Sequence, residues 1–171
     1  MKILNKKLIN INALINKNHL GRIIILSLII SCSKEKNTTN DTSQSNIWDG
    51  PVKFFEKKDN TNQLEKVNQD IITENVIITR GNGGGQIFNI AKENEADKYK
   101  SPIGTEWAIG SLKQIDSLVF KDFRLAVTPK SIVGKKLVLH LIEEDIYLSV
   151  EFKSWSSGKR GGFSYERSTS N

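Results

Sequence analysis

Cysteine occurs once in these 171 residues, at Cys32, and histidine only twice, at His19 and His140. No cysteine follows residue 32, so the chain beyond it has no disulfide, no thiol nucleophile and no thiolate metal site. His140 alone follows that point, which excludes zinc sites built on two or three histidines and leaves carboxylates as the only metal chemistry. Methionine is confined to Met1, and the three prolines, Pro51, Pro102 and Pro129, fall at turn positions. Long apolar runs are missing too. The longest, residues 23–30 (IIILSLII), is eight residues with one serine. A bilayer-spanning helix needs about 18 or more, so the run is not read as one.

That short run has an informative setting. Residues 1–22 carry Lys2, Lys6, Lys7, Lys17 and Arg22 and no acid, a basic region ahead of an apolar one, as in secretory signals. The run closes on Ile29-Ile30-Ser31-Cys32, which resembles the lipobox of bacterial lipoproteins. The resemblance implies cleavage before Cys32 and lipidation of its thiol and new amino group. Each buried methylene of such lipid contributes about 0.8 kcal/mol, and two or more chains anchor stably. The expectation is an exported protein, anchored to the cell envelope through lipid on Cys32, with the outer membrane as its address.

Cleavage would change the charge balance. The whole chain has 25 Lys+Arg against 19 Asp+Glu; without the five basic residues of the signal, 20 stand against 19, about +1. The basic character belongs to the discarded segment, so nucleic acid is not an expected partner.

Residues 32–47 follow as SKEKNTTNDTSQSNI after the cysteine, polar and charged, and read as a flexible tether. Residues 48–171 then form one domain of ordinary size. Its pattern is strands and turns. Asn75-Val-Ile-Ile-Thr79, a glycine run at 81–85, and Gln86-Ile-Phe-Asn-Ile90 predict a hairpin. Residues 137–142 and 146–155 predict a second, joined by Glu143-Glu144-Asp145. In its second strand Leu148, Val150 and Phe152 alternate with Tyr147, Ser149, Glu151 and Lys153, giving one buried and one wet face. Residues 105–109 and 118–120 add candidate strands, and 122–127 a brief helix. Many short strands with little helix predict a mainly β fold, an antiparallel β-sandwich or jelly-roll-like single domain.

Chemical motifs are sparse. Arg80-Gly-Asn-Gly-Gly-Gly85 lacks the Lys and Ser/Thr of a phosphate loop and is followed by strand, so it reads as a turn needing positive φ. His140 sits mid-strand between Leu139 and Leu141. With no G-x-S-x-G elbow in the chain, it reads as a satisfied, partly buried side chain. Glu143, Glu144 and Asp145 read as turn acids facing solvent. No catalytic residue, cofactor or metal is expected.

Polar aromatics near the C-terminal half give the remaining hint. Trp107, Tyr147, Trp155, Tyr165 and Arg167 form a candidate ligand surface, because an aromatic face stacks on a sugar ring while polar groups meet its hydroxyls. Burial in the core is the competing reading. The segments NQDIITENVIITRGNGGGQIFN, SPIGTEWAIG, LVLHLIEEDIYLSVEFKSWS and GGFSYERST together resemble a recurring domain of exported proteins in marine and Bacteroidota-type bacteria, over about residues 50–169. The resemblance implies an extracytoplasmic β domain and no particular activity. Ser149 stands where that resemblance leads one to expect an acid. The expected function is a non-enzymatic module binding a glycan or another envelope component. The alternatives are a carboxylate-dependent polysaccharide hydrolase using Glu106 or Glu144, and a structural or assembly protein.

Overall fold

The computed structural model describes residues 46–171. The expected signal segment, Cys32 and the expected tether up to residue 45 lie outside the described residues. Nine strands are present among those described: β1 Asn46–Trp48, β2 Val52–Lys57, β3 Asp70–Ile71, β4 Ile77–Arg80, β5 Ile87–Asn89, β6 Thr105–Ile109, β7 Lys136–Leu141, β8 Ile146–Trp155 and β9 Phe163–Ser168. Helix is confined to the single turn α1, Phe123–Ala126, and three 3₁₀ turns, including Leu112–Ser117. The fold is mainly β and sandwich-like.

A six-stranded sheet runs in the order β2-β9-β8-β7-β6, with β1 lying parallel beside the first half of β8. Strand β9 pairs with the second half of β8, so β1 and β9 share one flank of that long strand. Ser168 links the two: its hydroxyl donates to the Trp48 carbonyl and accepts from the Ser149 amide at 2.9 Å. Asn46 and Ile47 are paired in β1 with Ile146 and Tyr147 of β8.

The predicted hairpins both form. β7 and β8 pair antiparallel from Lys136–Glu151 to Leu141–Ile146, and β8 alternates buried and half-buried residues as its sequence implies. β4 and β5 pair antiparallel and, with β3, make a second, three-stranded sheet. The two sheets share one core: Val76, Ile78 and Ile87 of the small sheet region cluster with Leu137, Leu139, Leu148, Val150 and Phe152 of the large one. The brief helix appears as α1. Residues 118–120 do not become a strand. Instead the chain meets β6 at one point, where Trp107 and Lys121 exchange two backbone hydrogen bonds of 2.9 Å.

This register sorts side chains to two faces of the large sheet. Trp107, Leu139 and Leu148 stand opposite one another in the ladder and are buried, while Glu106, His140 and Tyr147 form the adjacent cross-strand row. Residues two apart along each strand share a face, so Lys136, Ser149 and Glu151 belong to the same outer face as His140.

Candidate functional site

The aromatic surface expected from sequence does not assemble. Trp107 and Tyr165 are each 1% exposed and Arg167 is 4% exposed. Trp107 meets Phe123 edge-on at 5.0 Å between ring centroids, and its indole N–H donates to Thr105 at 3.1 Å. Trp155 is half-buried, packed on Phe152 and Phe123, with the Arg80 guanidinium 3.9 Å over its ring. Only Tyr147 stands on the outer face, away from the others, and it stacks on His140. The physical reason is register: every other residue of β6, β8 and β9 must fill the space between the sheets, and in a small domain the largest rings fill it best.

Tyr165 and Arg167 instead serve a buried charge. Asp70, 0% exposed, accepts from the Tyr165 hydroxyl at 2.7 Å, from Arg167 Nε at 2.6 Å and from Lys53 Nζ at 2.7 Å. Burial alone would raise this carboxyl, but the hydrogen bond and charge of Arg167, with Lys53 and Tyr165, overturn that and hold it below its usual value. The same burial, with the neighbouring Asp70 charge, pushes the Tyr165 phenol well up. The cluster ties β3 of the small sheet to β2 and β9 of the large one.

His140 is fully engaged. Its Nδ1 lies 2.7 Å from Glu106 and its Nε2 3.0 Å from Asp145. Its ring stacks on Tyr147 at 4.0 Å and 3°, and Phe120 closes edge-on over both rings. A ring carrying both protons donates to both carboxylates at once. Burial, and then a hydrogen bond and the charge of Asp145, raise the Tyr147 phenol. Glu106 and Asp145 flank an imidazole that satisfies them, so the space a hydrolytic water would need between two carboxylates is filled by the ring.

The turn acids are each assigned as well, rather than simply solvated. Glu143 pairs with Lys92 at 2.6 Å, and Glu144 accepts from Thr73 at 2.8 Å and Asn75 at 3.2 Å. These bonds fasten the β7–β8 hairpin to the small sheet. Among the described residues no cluster of three or more His, Cys, Asp or Glu has the geometry to hold a metal ion.

The glycine loop is a packing device. Gly84 and Gly85 have φ of +100° and +93°, as a turn of that composition requires. Its neighbour Arg80 is buried and donates to the carbonyls of Gly85, Ser156 and Gly162. Desolvation draws its pKa down to about 10. Lys57, also buried, donates to Asn82 at 3.1 Å; burial and then the Arg80 charge lower its pKa. Gly161, at φ +74°, sits so close to the loop that an added Cβ would fall 2.8 Å from the Gly81 carbonyl oxygen. Gly161→Ala is therefore expected to remove about 1–3 kcal/mol of stability in a urea titration. Gly158→Ala, at φ +71° but with nothing near its Cβ, should lose less.

Among the described residues two concavities stand out. One, of about 260 Å³, lies at the glycine loop between Gly81–Gly84 and Asn94–Ala96. The larger, about 420 Å³, is a trough on the outer face of the main sheet, walled by Gly110–Lys113 and floored by residues of β7, β8, β9 and β2. Its accessible apolar side chains are Val52 and Leu112, since Leu137 and Val150 turn into the core, and its polar part includes Lys113, Lys136, Ser149 and Glu151. No aromatic residue lines it. The alternating wet face of β8 pointed to Ser149 and Glu151. The wall was not legible, because Ser111-Leu112-Lys113 carries no motif and its placement depends on the chain folding back after β6.

Comparison with known proteins adds little to this geometry. No family model matches the chain, and no solved structure matches it. A methylglyoxal synthase of Rhizobium etli (strain ATCC 51251 / DSM 11541 / JCM 21823 / NBRC 15573 / CFN 42) is 27% identical over 99 residues, 56% of this chain and 79% of that protein. A likeness of that size shows no family.

Proposed function

We propose that the chain is an exported lipoprotein, lipidated at Cys32 and held at the cell envelope, whose β domain is a non-enzymatic binding module working through the outer-face trough. The observation that carries this reading is the trough itself, a concavity of about 420 Å³ on the outer sheet face where Val52 and Leu112 stand beside Lys113, Lys136 and Glu151. Small-molecule sites have a size of roughly 300–1,000 Å³. The competing groups are committed elsewhere: Glu106 and Asp145 to His140, Glu144 to Thr73 and Asn75, and Tyr165 and Arg167 to Asp70. With no aromatic in the trough to stack on a sugar ring, an envelope component other than a glycan fits it better.

Two measurements test the parts separately. Growth with labelled palmitate is expected to mark the wild-type chain and leave Cys32→Ser unmarked; label on the variant removes the anchor. Ser149→Trp puts a large ring on the trough floor from a half-buried outer-face position. It is expected to weaken binding of purified envelope lipids, peptides or oligosaccharides at least tenfold while leaving the melting temperature nearly unchanged. Binding that persists at full strength would move the site elsewhere.

A further inference from the structure

We propose that Lys57 and Asn82 join in an isopeptide cross-link, the lysine amine displacing ammonia from the side-chain amide and so tying β2 of the large sheet to the loop between β4 and β5. Lys57 is the one buried lysine among the described residues, 1% exposed, on the inner face of β2 opposite Phe163. Burying an ammonium costs stability unless a counter-charge meets it. Here the hydrogen-bond partner is a neutral oxygen, Oδ1 of Asn82 at 3.1 Å, and Arg80 adds a second buried cation whose charge reaches Lys57. Desolvation beside another cation is how a lysine becomes a nucleophile, because both favour the uncharged amine.

The electrophile is held from three sides. Nδ2 of Asn82 donates to the Thr61 carbonyl at 2.9 Å, Lys57 approaches at Oδ1, and Gly161 packs so close that an added Cβ would strike that same oxygen. The amide is kept from turning away, and the amine already stands beside the carbonyl whose carbon it attacks. Lys57 first gives one proton to Asp59, two residues further on, whose charge reaches it and whose Oδ1 is buried with no partner among the described residues. The Nζ–Cγ bond then forms, the Cγ–Nδ2 bond breaks, and a second proton passes from Nζ to the departing nitrogen. That ammonia takes up the proton held by Asp59, so ammonium leaves and nothing is oxidised or reduced. The link closes a loop between positions 25 residues apart and restricts the unfolded chain as a disulfide does. With no cysteine beyond residue 32, the domain has no disulfide to serve that purpose.

Tryptic mapping of the full chain by tandem mass spectrometry, after it has folded and then been denatured, tests this directly. Trypsin cuts after Lys53, Lys58, Arg80 and Lys92 and spares a linked Lys57. The expected product is a branched peptide of residues 54–58 and 81–92, lighter than the two together by one ammonia beyond the usual sum and at least tenfold more abundant than the separate pieces. Lys57→Met and Asn82→Ala should yield no branched peptide. Recovery of residues 54–57 and 81–92 as separate wild-type peptides of unaltered mass would overturn the inference, and because the wild-type map decides this, it holds whether or not the variants fold. Ammonia loss confined to 81–92 and persisting in Lys57→Met would overturn it too, since that marks a succinimide closed by the Gly83 amide. So would simple hydrolysis of the Asn82 amide to its acid. In Asp59→Asn the branched peptide should fall at least tenfold; full yield there would overturn the proton transfer to Asp59.

Discussion

Asp70→Ala is expected to destabilise the domain by about 3–5 kcal/mol, because it removes one member of a buried ion pair and leaves the other charge unpaired. Arg167, 4% exposed, would keep only the carbonyls of Ile71 and Ser168, each at 3.2 Å, and the Tyr165 hydroxyl would lose its acceptor. A loss of that size is a large share of the roughly 5–15 kcal/mol that holds a domain together. It should lower the melting temperature by about 10–20 °C. The double variant Asp70→Ala/Arg167→Met removes both charges and is expected to lose less than the two single changes summed, which a double-mutant cycle measures.

The same cluster sets the pH limits of the fold. Asp70 titrates below its ordinary value of 3.8 in the folded state, so its contribution is complete above that value and is lost as pH falls through the lower folded value. Tyr165 behaves in the opposite sense. Its phenol is raised above the ordinary 10.0, so the folded state keeps the proton that the unfolded state releases, and stability falls as pH rises past about 10. Urea midpoints measured from pH 3 to pH 11 should therefore show a plateau with a loss at each end. In Asp70→Ala the acid limb should flatten, and in Tyr165→Phe the alkaline one.

How much of this was legible beforehand depends on the residue. The β7–β8 hairpin followed from strict alternation over Leu148, Val150 and Phe152, and the glycine loop from composition, because both are local signals. The satisfied state of His140 was legible as burial between leucines, but its partners were not: Glu106 is 34 residues away, and only the β6–β7 register brings it to 2.7 Å. Nothing in the sequence singles out Asp70. In the sequence it is one acid in a polar stretch, and its meaning comes from Tyr165 and Arg167, 95 and 97 residues later. The same long-range pairing decides where those two residues lie. Tyr and Arg close together near a glycine pair suggested a wet surface, whereas positions 163, 165 and 167 share the inner face of one central strand.

Trp107→Ala is expected to remove about 3–5 kcal/mol, with Trp107→Phe losing less than half of that. A fully buried tryptophan withdraws on the order of 200 Å² from water, which at about 25 cal/mol/Å² gives an upper bound near 5 kcal/mol. The loss is compounded by position. Trp107 packs on Phe123 of α1 and, more distantly, on Phe152 of β8 at 6.4 Å, and its backbone is the single bridge to Lys121. A cavity there removes the contact that seats α1 on the sheet and lets the Leu118–Lys121 segment, with Phe120 over His140, come loose from β6. The variant also separates the two readings of this residue sharply. A tryptophan on a ligand platform would show lost binding at unchanged stability. A core tryptophan shows the reverse: a urea midpoint that drops steeply and, below that midpoint, ligand binding in the trough that stays within a few-fold of wild type.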